Sequence, residues 1–153
     1  MSGIVIYTDG SSRGNPGPGG FGAILISGSH RKEISQGYRL TTNNRMELMS
    51  VIAALELLKK PEQTVTIYSD SQYVVKAIEE GWLNNWLKTG FKGKKNKDLW
   101  LRYLKAANGH FIKFKWIKGH NNHPLNERCD ELAVEAAQSN YLMIDEGFES
   151  EKE

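Results

Sequence analysis

The sequence predicts a single α/β domain built on a five-stranded mixed sheet flanked by helices, and three observations predict it. Three β-rich runs follow one another at residues 4–8, 21–26 and 34–40, separated by glycine-containing and charged turns, as in an antiparallel meander. After Thr41 the apolar period changes from two to that of a helix. Two further strand-like runs then alternate with helical segments, which is the pattern of a layered α/β unit. The chain of 153 residues fits one compact domain in the usual range of roughly 100–200 residues. Residues 1–140 are expected to form it, with 141–153 as an acidic, flexible tail that has few core candidates.

Each element has a local reason. Leu48, Val51, Ile52, Leu55 and Leu58 repeat at helical spacing until Pro61 ends the helix. Residues 64–69 read as a strand and 71–80 as a second helix. Residues 81–97 hold no clean period and mix Trp82, Trp86 and Phe91 with five lysines and three glycines, so they read as a basic, aromatic excursion. Asp98 is placed to N-cap a helix through Ala107. Along residues 111–117, Ile112, Phe114 and Trp116 alternate with Lys113 and Lys115. A loop with His120 and His123 leads into a last helix striped by Leu125, Cys129, Leu132, Ala133 and Ala136.

Composition sets further bounds. Hydrophobic residues make up 39% and charged residues 25% of the chain, the balance of an ordinary globular protein rather than a disordered or fibrous one. No apolar run approaches the ~20 residues that a membrane-spanning helix needs, and the first residues carry no signal-like leader. The single cysteine, Cys129, excludes an internal disulfide and a thiolate-rich metal site. These features predict a cytoplasmic protein without a membrane partner. The formal charge of +2 argues against a surface that grips a polyanion everywhere. Position matters more: residues 88–118 hold ten basic residues against Asp98 alone, and residues 141–153 hold five acids against one lysine.

Four carboxylates stand at the ends of elements. Asp9 follows a strand and precedes a glycine-rich loop, and Asp70 lies between a strand and a helix, where α/β scaffolds expose side chains for chemistry. Glu47 falls in the first turn of the long helix, where Asn44-Arg45-Met46-Glu47 has the spacing of a capping box. Asp130 lies on the last helix. Taken singly, each suits a turn, a cap or a solvated surface.

Their combination with local motifs is more specific. Thr8-Asp9-Gly10-Ser11, the glycine-rich stretch from Gly14 to Gly20, Thr41-Thr42-Asn43-Asn44-Arg45-Met46-Glu47-Leu48, Ser69-Asp70-Ser71-Gln72, Lys118-Gly119-His120 and Asn126-Glu127-Arg128-Cys129-Asp130 occur in that order. Together, from about Ile4 to Ala137, they resemble the signature blocks of bacterial type 1 ribonuclease H. The resemblance implies a ribonuclease H-like fold with a basic protrusion, and residues 1–140 as the catalytic domain. The implied activity is endonucleolytic hydrolysis of the RNA strand of RNA–DNA hybrids, leaving 5′-phosphate and 3′-hydroxyl ends. Asp9, Glu47, Asp70 and Asp130 would be the metal-binding carboxylates, and His120 would assist proton transfer or product departure.

The residue types suit that chemistry. Two Mg²⁺ ions about 3.5–4 Å apart can activate water, neutralise a phosphate and stabilise the leaving oxygen. Such hard cations take oxygen ligands, with Mn²⁺ as an alternative ion. His120 and His123 lack the further ligands a zinc tetrahedron needs. By the same resemblance Asn15, Asn43, Asn44 and Gln72 would line the minor groove of the hybrid, with Thr42 and Asn96 near a DNA phosphate. Trp82, Lys88, Lys94, Lys95 and Trp100, in the region resembling the protrusion, would grip the backbone without reading sequence. Ser12 and Ile26 stand where some relatives carry cysteine and a basic residue, and Phe91 where close relatives carry tryptophan. Processivity of the kind conferred by a preceding hybrid-binding domain is not expected.

Gly17-Pro18-Gly19-Gly20-Phe21-Gly22 matches the dinucleotide fingerprint by letter. A strand rather than a helix follows it, so no nucleotide cofactor is expected and the glycines are read as a tight turn that brings Asn15 near substrate. Two other functional classes stand beside the nuclease. A non-catalytic hybrid-binding module would gain little from concentrating acid beside a polyanion, and another nuclease of the same fold would cut duplex DNA. A monomer is expected, because no surplus apolar stripe remains.

Overall fold

A computed structural model describes residues 3–118 and 123–150. Strands β1 (Ile4–Ser12), β2 (Gly17–Ser27) and β3 (His30–Thr41) form the antiparallel meander, and helix α1 (Asn43–Glu56) follows directly. Then come β4 (Thr64–Ser69), α2 (Gln72–Glu79), α3 (Trp82–Lys88), α4 (Lys97–Ala107), β5 (Phe111–Trp116) and α5 (Pro124–Ala137), closed by β6 (Leu142–Met143) and α6 (Glu146–Ser150). The α/β class and the five expected strands are present. A two-residue sixth strand extends the sheet, whose order is β5-β4-β1-β2-β3-β6.

Register decides where the chemistry can gather. β4 runs parallel to β1, with Ile4 beside Val65 and Tyr7 beside Tyr68, and β5 runs parallel to β4. The β1–β4 pairing stops at Tyr7 and Tyr68, so Asp9, two residues further along β1, and Asp70, just past β4, lie close together. Asp9 does not follow its strand as expected but lies within it, paired with Gly22 of β2, because the meander carries β1 on to Ser12. One face of the sheet carries the main core, in which Ile6, Leu48, Val51, Ile52, Val65, Ile67 and Trp100 are fully buried. Cutting Leu48 to alanine there should cost about 2–5 kcal/mol. The other face holds a smaller cluster of Ile24, Cys129 and Leu132 beneath α5.

The glycine-rich stretch differs from its expected role. Residues 17–22 belong to β2 rather than to a turn, and they let α5 approach the sheet. A Cβ at Gly22 would lie 2.6 Å from the Cys129 carbonyl oxygen and 2.6 Å from the Leu132 Cβ. The dinucleotide fingerprint thus lies in a strand covered by a helix backbone.

Four local expectations are corrected. The N-cap of α1 is Thr42, whose hydroxyl accepts the Arg45 amide at 3.3 Å, so Glu47 is too far along the helix to close a capping box. Asn96, at φ 68°, precedes α4 in place of Asp98, which is held by a buried arginine instead. Within the aperiodic excursion, residues 82–88 form α3, a helix of seven residues and too short to show a period. Residues 142–150 of the tail are not frayed: Leu142 and Met143 pair with Gly37 and Tyr38 of β3, and Asp145 is buried. Sequence composition hid this because the anchor is an ion pair across the fold, not an apolar stripe. Among the described residues no helix is long and apolar enough to cross a membrane.

Candidate active site

Asp9 on β1, Glu47 on α1 and Asp70 just past β4 converge so that one carboxylate oxygen from each lies within 4.8 Å of the others. Asp130 of α5 lines the same cleft, of about 230 Å³, with Asn43 and Asn126. Four elements distant in sequence therefore contribute acid to one cleft, three of them at close quarters and Asp130 on its wall.

Local hydrogen bonds shape the cleft without neutralising it. The Ser71 amide donates to the Ser69 hydroxyl at 3.1 Å, and the Ser71 hydroxyl caps α2 by accepting the Val74 amide at 3.2 Å, so the turn bearing Asp70 is held from both sides. Trp116 donates its indole N–H to the Asp70 carbonyl at 3.2 Å, tying the end of β5 to that turn. Asp9 accepts the Gly10 amide at 2.9 Å. Glu47 Oε1 and Asp70 Oδ1 are buried with no hydrogen-bond partner among the described residues.

Burial and like charge act together here. Asp9 is pushed up to about 8, first by burial and then by the charges of Asp70 and Asp130. Glu47 is raised well above the usual carboxylate range by burial and by Asp9 and Asp70. Buried carboxylates without cationic partners are costly unless something positive completes them. Oxygen-only donors with unpartnered atoms fit a hard divalent cation, for which these residues would supply the ligands.

His120 lies outside the described residues. His123 is described, with its ring 5.5 Å from Tyr7 and 6.3 Å from Tyr68, themselves stacked at 4.7 Å. Sequence reasoning does not single out Asn126. It is buried one helical turn before Asp130, and its Oδ1 has no partner among the described residues; the i, i+4 spacing to Asp130 was the available signal.

A second cleft, of about 510 Å³, is lined by Asn15, Thr42, Asn44, Lys94, Lys95, Asn96 and Phe148. Six of these seven belong to the expected substrate-binding set, drawn from three distant segments. Asn15 Oδ1 accepts the Asn43 amide at 3.1 Å, joining the loop after β1 to the start of α1. Asn96 is largely buried, donating to the Tyr73 hydroxyl at 3.1 Å and accepting from Arg45 at 3.3 Å. Gln72 is exposed at the start of α2, and Lys88 at the end of α3. Trp82 is 37% exposed beside Trp86, over whose ring Lys94 sits at 5.9 Å. Trp100 departs from its expected role. It is wholly buried and donates its indole N–H to Tyr73 at 2.9 Å, so it supports this wall from within rather than meeting a ligand.

The sequence profile of the RNase H family matches residues 1–138. The chain belongs to that family. Ribonuclease H of Lachnoclostridium phytofermentans is 56% identical over 153 residues, covering 93% of this chain and 96% of its own. Ribonuclease H of Desulforamulus reducens is 52% identical over 147 residues, covering 93% and 92%. Among solved structures, LC9-RNase H1, a type 1 RNase H with the type 2 active-site motif, superposes with a TM-score of 0.80 at 32% identity, covering 98% of this chain and 80% of that one. LC11-RNase H1, solved in complex with an RNA/DNA hybrid, gives 0.64 at 28% identity, covering 88% and 96%. The resemblance seen in the motifs and the α/β expectation are both upheld, and the chain is a nuclease of the RNase H family.

Proposed function

We propose that the protein is an endonuclease that hydrolyses the RNA strand of RNA–DNA hybrids, using Mg²⁺ held by Asp9, Glu47, Asp70 and Asp130 and leaving 5′-phosphate and 3′-hydroxyl ends. The observation that carries this reading is the convergence of buried, unpartnered carboxylate oxygens in a chain that also carries an amide- and lysine-lined cleft. A pair of Mg²⁺ ions bound there, with Mn²⁺ as a substitute, would supply an activated water, neutralisation of the phosphate and stabilisation of the leaving 3′ oxygen.

The chain's own residues position the substrate. Lys94 and Lys95 attract phosphates, while Thr42 and Asn96 offer polar groups near a phosphate of the DNA strand and Asn15 belongs with the groups that line the minor groove. Asn43, Asn44 and Gln72 are polar groups of the kind that read 2′-hydroxyls across a wide, shallow minor groove. Trp82 and Lys88 extend the grip along α3. His120 would take or deliver a proton as product leaves, a role suited to an imidazole near neutral pH. The known complex of LC11-RNase H1 with a hybrid supports the same substrate class. A cytoplasmic location accords with a single, buried, free cysteine, and a monomer is proposed with it.

The test is a hybrid labelled separately on each strand, incubated with and without Mg²⁺. Cleavage of the RNA strand alone, dependent on metal and lost in Asp70→Asn, is expected. Cleavage of duplex DNA, or binding without cleavage, would overturn the reading.

A further inference from the structure

Arg45 is 1% exposed, yet its guanidinium is almost completely used by two acids from distant parts of the chain. It donates to Asp145 at 2.7 and 2.8 Å and to Asp98 at 2.8 and 2.7 Å, both in bidentate fashion. Asp145 also accepts the Thr41 hydroxyl at 2.7 Å and the backbone amide of Phe148 at 3.3 Å. The carboxylate that anchors the C-terminal segment therefore also holds the backbone of Phe148. Two more ties flank it: the β6 pairing to β3, and a bidentate Arg39–Glu149 contact at 2.8 and 2.9 Å. The seat is tight, because a Cβ at Gly147 would collide with the Asp98 carboxylate and come within 2.9 Å of an Arg45 nitrogen.

This arrangement delivers an aromatic ring to a particular place. Phe148 is half-buried and lines the 510 Å³ cleft together with amides and the lysines Lys94 and Lys95. It is the only aromatic residue lining that cleft among the described residues. A wall of cations and hydrogen-bond donors beside one apolar ring complements a nucleotide unit with an anionic phosphate and an apolar sugar face. Deoxyribose, lacking the 2′-hydroxyl, suits the ring better than ribose does. Asp98 and Asn96, on the other side of Arg45, connect the same anchor to the lysine-bearing loop, so tail and loop share one fixed point.

We propose that the C-terminal segment is part of the substrate groove, with Phe148 packing on a sugar of the DNA strand and Asp145 acting as the positioning residue that holds it there. The proposal rests on the hybrid-cleaving function above. Phe148→Ala should raise the KM for hybrid about five- to tenfold with kcat within twofold, and Phe148→Tyr should restore it. Asp145→Asn should raise KM to a similar degree, and the double variant should be no worse in KM than the weaker-binding single variant. Shortening the DNA strand stepwise should make wild type and Phe148→Ala converge; convergence on shortening the RNA strand instead would overturn the assignment. A KM for Phe148→Ala within twofold of wild type, or an Asp145→Asn that lowers Tm without moving KM, would also overturn it. Lys94→Glu/Lys95→Glu serves as the control. If that variant binds hybrid weakly while Phe148→Ala does not, only the role of the C-terminal segment falls; if the wild type fails to cleave hybrid, the functional reading falls instead.

Discussion

Arg45 and Glu47 lie two residues apart on α1, both buried and both charged in type, but their surroundings are opposite. Arg45 meets two carboxylates at bidentate distances, and its charge is held well above the ordinary range against the cost of burial. Glu47 meets other acids, keeps one oxygen without a partner among the described residues, and is driven toward its protonated form. One region is complete within the chain and so serves the fold. The other is incomplete among the described residues, as a site awaiting a ligand would be. Buried polar groups are ordinarily satisfied, which makes a cluster of unsatisfied ones a functional signal with a physical basis.

The largest way to sharpen this contrast is to neutralise a carboxylate. Asp70→Asn should lower metal-dependent cleavage of hybrid by about a thousandfold or more, on the order of 4 kcal/mol of transition-state stabilisation, with the fold retained by circular dichroism. The complementary change is Arg45→Met, which strands Asp145 in the interior. Removing one partner of a buried pair costs about 3–5 kcal/mol, so Tm should fall by roughly 6–20 °C in a melt without substrate. An unchanged Tm would mean that the network is not structural.

Smaller effects follow. Lys94→Glu/Lys95→Glu should raise the hybrid KM about tenfold at low salt and flatten its salt dependence while sparing kcat, because exposed phosphate contacts act through binding. Last comes pH. Asp9 has a raised folded value of about 8 against an ordinary 3.8, so its ionisation opposes folding. The stability that protonated Asp9 contributes to the metal-free protein should be fully present below pH 4 and be lost as pH rises toward 8. Asp9→Asn should therefore raise the metal-free Tm at pH 8 by about 2–8 °C and leave it nearly unchanged at pH 4. Mg²⁺ should raise the wild-type Tm at pH 8 and have little effect on the variant. A variant less stable than wild type at pH 8 would show that the cluster is not strained.

Much of the site was legible because chemistry constrains residue type: acids at strand ends, amides in the loop after β1 and at the start of α1, and lysines clustered between α3 and α4. The sequence does not reveal the burial of Trp100, because a tryptophan in a basic stretch has the same letter whether it faces solvent or Tyr73. Asn126 is marked in the sequence only by its i, i+4 spacing to Asp130, which many surface amides share. The capping-box spacing that competes with the metal-ligand reading of Glu47 misleads because helix starts cannot be located within a residue or two from propensity alone.

What the sequence determined by itself is the order of elements and the kind of chemistry, since periodicity and residue type are local properties. Tertiary structure alone decided which charges are partnered. Asp98 and Asp145 have no local sequence feature that marks them as ion-pair partners of Arg45, nor do Asp9 and Asp70 announce that they meet Glu47. Parallel pairing of β1 with β4 brings one set together, and docking of the C-terminal segment on β3 brings the other. Electrostatic energy depends on distance and burial, and both are set only when distant segments pack.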